Sequence, residues 1–174
     1  MAQPVLASAP ELDRAPTLDD LPPYLMNRLV SRLNRNLEAR LRRVGLSFAI
    51  WRVLAVLAAA DGRSIMELSD FTAIPHSTLS RLLDRMERAR LVRRRSASTD
   101  GRLVRIWLSA GGRGAYERAL PHAVAESEGA LVGFSSGERA EVAQLLHRML
   151  HNIGLTGPGA VSYTHLTLPT ILRV

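Results

Sequence analysis

The chain has 174 residues, of which 47% are hydrophobic and 5% aromatic, with a formal net charge of +7 and no cysteine. That length accommodates one domain with a full apolar core plus extensions, and its Ala/Leu/Val bias suits a helical protein better than an aromatic-rich β-sandwich. The missing cysteines exclude disulfides, thiolate nucleophiles, thiol-oxidation switches and cysteine zinc sites, and no apolar run is long enough to span a bilayer.

Residues 1–20 are rich in Pro, Ala and Asp and read as a disordered arm. They contain no basic stretch followed by an apolar core, so no signal peptide is expected and the expected location is the cytoplasm. From Leu21 the pattern changes. Met26, Val30, Leu33, Leu37, Leu41 and Val44 recur every three or four residues and predict an amphipathic helix. Pro22 and Pro23 sit near its start, Gly45 ends it, and its other face carries Arg28, Arg32, Arg35, Arg40 and Arg43. Leu46 to Ala60 is almost wholly apolar and reads as a buried helix closed by Asp61-Gly62.

Ser64 to Ala73 predicts a short helix, with Ser64 and Glu67 spaced as a capping box. Ile74-Pro75-His76-Ser77 is a turn followed by a cap. Thr78 to Arg90 predicts a further helix with Leu79, Leu82, Leu83 and Met86 inward. Ser77, Ser80, Arg81, Asp84, Arg85 and Arg88 are expected on its outer face. Leu91–Ser96 and Leu103–Leu108 read as two short strands, the second alternating Val104, Ile106 and Leu108 against Leu103, Arg105 and Trp107. Asp100-Gly101 between them is a hairpin turn. Ser109 to Gly114 leads into helical sequence, with Gly111 to Gly114 as the joint between wing and helix; Ala115 to Phe134 reads as helix interrupted near Pro121, and Ser135 to about His151 as a last amphipathic helix.

Two helices joined by a short turn and followed by a hairpin make a winged helix-turn-helix. In this arrangement the second helix lays its N-terminal residues against base edges in a major groove. Ser77, Thr78 and Ser80 permit close approach, and Arg81 and Arg85 can fork onto guanine. All 23 basic residues are arginine, the side chain whose planar fork matches phosphate and guanine. Nine of them lie between Arg81 and Arg105 against three acids, so most of the excess charge falls in the proposed reading unit. An arginine at a hairpin tip can reach a minor groove.

WRVL (51–54), STLSRLLDRMER (77–88), LVRR (91–94), DGR (100–102) and LSAGG (108–112) occur in the order and register of the MarR family of bacterial transcription regulators, which the run from Trp51 to Gly112 resembles. The resemblance implies a mainly α fold with a small two-stranded β-wing and an obligate homodimer. It also implies two winged heads on adjacent major grooves of a palindromic operator in double-stranded DNA. Asp100 becomes the orienter of the wing and Arg102 its minor-groove probe, while Arg93, Arg94 and Arg95 contact phosphate or brace the wing's base. It further implies a small aromatic or phenolic anion that relieves repression, for which Tyr24, Arg28, Trp51 and Arg52 are the candidates, Trp51 doubling as a core residue. One departure stands out. Arg90 occupies a position where the family usually has glycine, so the end of the recognition helix and the angle of the wing are expected to differ.

The expected organisation is an arm at 1–20, a dimerisation helix at 21–46, the winged helix-turn-helix at 47–110, C-terminal dimerisation helices at 111–155 and a tail at 156–174. The stretch VSYTHLTLPT (161–170) continues no pattern and resembles a translated sequencing adapter, so the tail from about 161 is expected to be non-native. His147 and His151 are four apart on a helix, but no acid completes a metal site, and they read as interface histidines. No cofactor is expected, and no arrangement suited to catalysis is present. The other reading is a dimeric winged-helix ligand-binding or interaction module that does not read DNA sequence.

Overall fold

The computed structural model describes residues 17–96 and 104–154. A single 3-10 turn, Leu18–Asp20, leads into α1 (Pro22–Arg43). Proline opens α1 because the first helical N–H groups have no intrahelical partner to lose. Gly45 closes it with φ +74°: the Gly45 N–H donates to the Arg42 carbonyl and the Leu46 N–H to that of Leu41. That bond pair needs a left-handed residue, which glycine supplies without strain. α2 (Phe48–Ala59) follows, capped by the Ser47 hydroxyl, which accepts from the Ile50 N–H.

The chain then forms β1 (Arg63–Ser64), α3 (Ile65–Thr72) and α4 (His76–Arg88). The Ser64–Glu67 capping box is formed in both directions. The hairpin strands are β2 (Val92–Ser96) and β3 (Val104–Leu108), paired antiparallel from Val92 opposite Leu108 to Ser96 opposite Val104. The expected two-stranded wing is present, and a third, two-residue strand joins it, because Arg63 and Ser64 pair with Ile106 and Arg105 on the other edge of β3. The Asp61 carboxylate reaches the same strand and accepts from the Leu108 N–H at 2.9 Å. The end of α2 is therefore fastened to the root of the wing.

Two long helices follow in the described residues, α5 (Ala110–Ala130) and α6 (Ser136–Asn152). Here one expectation fails. Gly111 to Gly114 is no joint: Ser109 caps α5, and these residues lie at the start of the helix. Nor does Pro121 interrupt the helix, which runs through it. The core lies between α2, α3, α4, β3 and the inner halves of α1 and α5. Leu41, Val53, Leu54, Leu68, Leu79, Leu83, Met86 and Ile106 are wholly buried there. No helix among the described residues is long and apolar enough to cross a membrane.

Candidate nucleic-acid interface

The face of α4 follows from its period. Leu79, Leu82, Leu83 and Met86 are buried, which turns Ser77, Thr78, Arg81, Asp84, Arg85 and Arg88 outward. Ser80 lies at the boundary, half-buried. The helix starts two residues earlier than expected, with Pro75 rather than Ser77 at its cap. Its carbonyl accepts from the Leu79 N–H at 2.9 Å. Ser77 and Thr78 therefore stand inside the first helical turn, the end a reading helix presents to bases. Thr78, Arg81, Asp84, Arg85 and Arg88 border one open hollow of about 460 Å³ on this face. Three guanidinium groups around a single carboxylate make it a place for anions.

The end of α4 resolves the question of Arg90. Its φ is +58°, the left-handed conformation in which glycine is usual. The Arg90 N–H donates to the Glu87 carbonyl at 2.9 Å and the Leu91 N–H to that of Met86 at 2.8 Å. The motif thus forms with arginine in place of glycine. The strain is local and costs about 1 kcal/mol. Arg90→Gly is expected to raise stability by about that amount, read as a higher Tm in a thermal melt, with α4 and the wing unmoved.

Arg93, Arg94 and Arg95 alternate in direction along β2. Arg93 and Arg95 are exposed, and they stand opposite Trp107 and Arg105 of β3. Arg94 turns toward α4. Its Nη1 lies 2.6 Å from Asp84 Oδ1 and 3.2 Å from Glu87 Oε2, and its backbone N–H donates to Glu87 Oε1 at 3.0 Å. Asp100 and Arg102, expected at the tip, lie outside the described residues, as do the arm before residue 17 and the tail after 154.

On the opposite side of β3, Arg105 Nη1 donates to the Gly62 carbonyl at 2.8 Å, and Arg63 stacks over the Phe71 ring at 4.7 Å. Glu67 sits between Arg63 and the cap. The Ser64 N–H and hydroxyl, helped by Arg63, hold its carboxyl below the usual glutamate range despite partial burial. Glu67 therefore adds stability that is complete above the ordinary glutamate range and is lost as pH falls through the lowered value.

The four ligand candidates fall into two places. Tyr24 and Arg28 meet in the first turns of α1, with the guanidinium 5.6 Å from the ring centre and also paired with Asp19. Trp51 is buried on α2, stacked nearly parallel on Tyr116 of α5 with centroids 5.4 Å apart. Arg52 beside it is half-buried over Phe48, and burial lowers its pKa; burial also raises that of Tyr116. The sequence reading missed Tyr116, and it missed Glu126, a buried α5 carboxylate 2.5 Å from Arg40 of α1. Neither carries a local signal, since each partner comes from a different helix. His147 and His151 lie exposed on α6, and among the described residues no cluster of three or more His, Cys, Asp or Glu could hold a metal.

The arrangement has known counterparts. A family model described as MarR family matches residues 44–103. The HTH-type transcriptional repressor IacR of Pseudomonas putida is 25% identical over 135 residues, which are 78% of this chain and 81% of that protein. The crystal structure of a MarR-family transcriptional regulator from Silicibacter pomeroyi is 40% identical. It superposes with a TM-score of 0.73, covering 79% of this chain and 92% of that one. A MarR-family protein of Mycobacterium tuberculosis, solved in complex with salicylic acid, is 25% identical with a TM-score of 0.62, covering 79% and 98% of the two chains. With its wing, its exposed α4 face and a relative this similar over nearly its whole length, the chain belongs to the MarR family of transcriptional regulators.

Proposed function

We propose that the protein is a homodimeric repressor that reads a palindromic operator and is released from it by a small aromatic or phenolic anion. The observation that carries DNA reading is the two-sided character of α4: one side wholly buried, the other offering Ser77, Thr78, Arg81 and Arg85 to solvent. In this reading Arg81 and Arg85 fork onto guanines, Ser77, Thr78 and Ser80 let the helix approach, and Arg95 meets phosphate. Asp100 and Arg102 serve the wing tip as the family resemblance implies. Half-sites about 10 bp apart follow from the motif's geometry.

Dimerisation is supported by what one chain leaves uncovered. α6 buries no residue of its own, and Leu145, Leu146, Leu150 and Ile153 face solvent. So do Leu18, Leu21, Leu25 and Leu29 at the other end of the chain. A helix without a packed face has little to hold it in water, and apolar faces of this size mark interfaces. The reading assigns residues 21–46 and 111–155 to the dimer and 47–110 to the DNA-binding head.

For the ligand, the support is the salicylic acid bound by the M. tuberculosis relative. Arg52 is the partly buried cation suited to such an anion, with Trp51 beside it on α2, while Tyr24 and Arg28 form a separate candidate pair on α1. The feature of the sequence that leans toward the alternative module without DNA reading is Arg90 in place of the family's glycine. That residue adopts the backbone conformation glycine would have, so this support falls away.

The test is selection of the full chain against random duplexes, followed by anisotropy titrations at several salt concentrations. A palindrome should enrich, with an affinity that falls steeply as salt rises. Arg81→Ala should weaken the selected site by about 1–3 kcal/mol and relax the preference at one base pair in each half. A folded dimer that binds all duplexes equally weakly would sink the proposal.

A further inference from the structure

We infer that Arg94 is a positioning residue: it fixes the wing to the recognition helix and offsets that helix's two carboxylates, and it does not serve as a phosphate contact. The inference rests on the DNA-reading proposal above and concerns how α4 is made fit for it.

Asp84 and Glu87 are three residues apart and so share one side of α4. Asp84 borders the same hollow as Thr78, Arg81, Arg85 and Arg88, in the middle of the face offered to DNA. Two carboxylates there would repel phosphate and oppose the surrounding arginines. Arg94 answers both. One guanidinium nitrogen lies within 3.2 Å of each acid, and the backbone N–H of the same residue takes the second oxygen of Glu87. Both Glu87 oxygens are thus committed to a single residue of β2. The Arg94 side chain is only 28% exposed, unlike its neighbours Arg93 and Arg95.

This geometry has two effects. The hydrogen bonds from backbone and side chain fasten the first half of β2 to the last turns of α4, which sets the direction in which the hairpin leaves. The positive charge leaves the helix face with one net negative charge from this trio in place of two. A guanidinium held by two carboxylates, on a residue whose own backbone N–H is tied to one of them, is not free to follow a phosphate.

A double-mutant cycle on the selected operator separates the two roles. Arg94→Ala is made in the natural chain and again in a chain carrying Asp84→Asn and Glu87→Gln. A residue that acts through the two acids loses its importance once they are neutral. Arg94→Ala should then weaken binding roughly tenfold in the natural chain and by less than about threefold in the neutral background. A direct phosphate contact would cost the same in both, and equal losses overturn the inference. So does an Arg94→Ala chain that binds as well as the natural one. Should Arg94→Ala unfold in the natural background, the neutral pair decides alone: similar affinities uphold the inference, and a tenfold gap overturns it. If the natural chain selects no operator, the DNA-reading proposal itself falls and takes this inference with it.

Discussion

Gly112→Ala should cost the protein about 3 kcal/mol of stability, measured as a loss in urea-denaturation free energy. A Cβ at Gly112 would be driven into the Leu91 carbonyl oxygen, and its neighbour Gly111 would place one 2.9 Å from the carbonyl oxygen of Arg90. Both oxygens belong to backbone pinned by the turn that ends α4, so neither can step aside as a flexible side chain would. The same substitution at the other end of the same helix has the opposite sign. A Cβ at Gly129 meets nothing within 4 Å. Gly129→Ala should therefore stabilise α5 by about 0.5–1 kcal/mol through helix propensity alone. If both substitutions proved equally mild, α5 would not be seated on the end of α4 as described.

The second large effect concerns α6. Leu146→Glu with Leu150→Glu places two charges on a helix face that buries nothing within one chain. The fold of the head should survive, because none of its core residues lies on α6. If the proposed dimer is built on α6, sedimentation should show a dimer for the natural chain and a monomer for the double variant. Operator affinity should fall on the order of 100-fold, as two heads cease to bind as one unit. A double variant that stays dimeric would remove α6 from the interface and leave the apolar end of α1 to account for it.

Much of this architecture is written in local pattern. The stop at Gly45, the Ser64–Glu67 box, the buried side of α4 and the alternation of β3 each need only a few neighbouring residues to be read. What escaped the sequence depends on distant partners. Arg63 and Ser64 are too short a run to show a period of two, and they become a strand only because β3 lies beside them. Three glycines within Ser109 to Gly114 argue against a helix on propensity. Close approach to the backbone at Arg90 and Leu91 requires two of them, Gly111 and Gly112, there, and packing overrides propensity. Arg90 reads as a misfit, yet two hydrogen bonds of the turn outweigh about 1 kcal/mol of backbone strain. Arg94 looks like one more arginine for phosphate, because its acids lie on another element. The candidate site followed the same rule. Residues whose exposure depends on the face of one helix were legible, while the four proposed ligand residues divide between α1 and α2.

The seat of α5 on α4 has a mechanical consequence. Its first turn touches the carbonyls that end α4, and the Ser109 hydroxyl donates to the Arg90 carbonyl, while Glu126 near its far end is tied to Arg40 of α1. α5 is thus a stiff strut about 30 Å long, anchored at both ends. A tilt of about 5° imposed at the α1 end moves the other end by roughly 3 Å, a full hydrogen-bond length. The joint is close-packed at Gly111 and Gly112, so on the proposed reading a small rearrangement among the outer helices would reach the end of α4 as a displacement large enough to disturb its contacts with DNA.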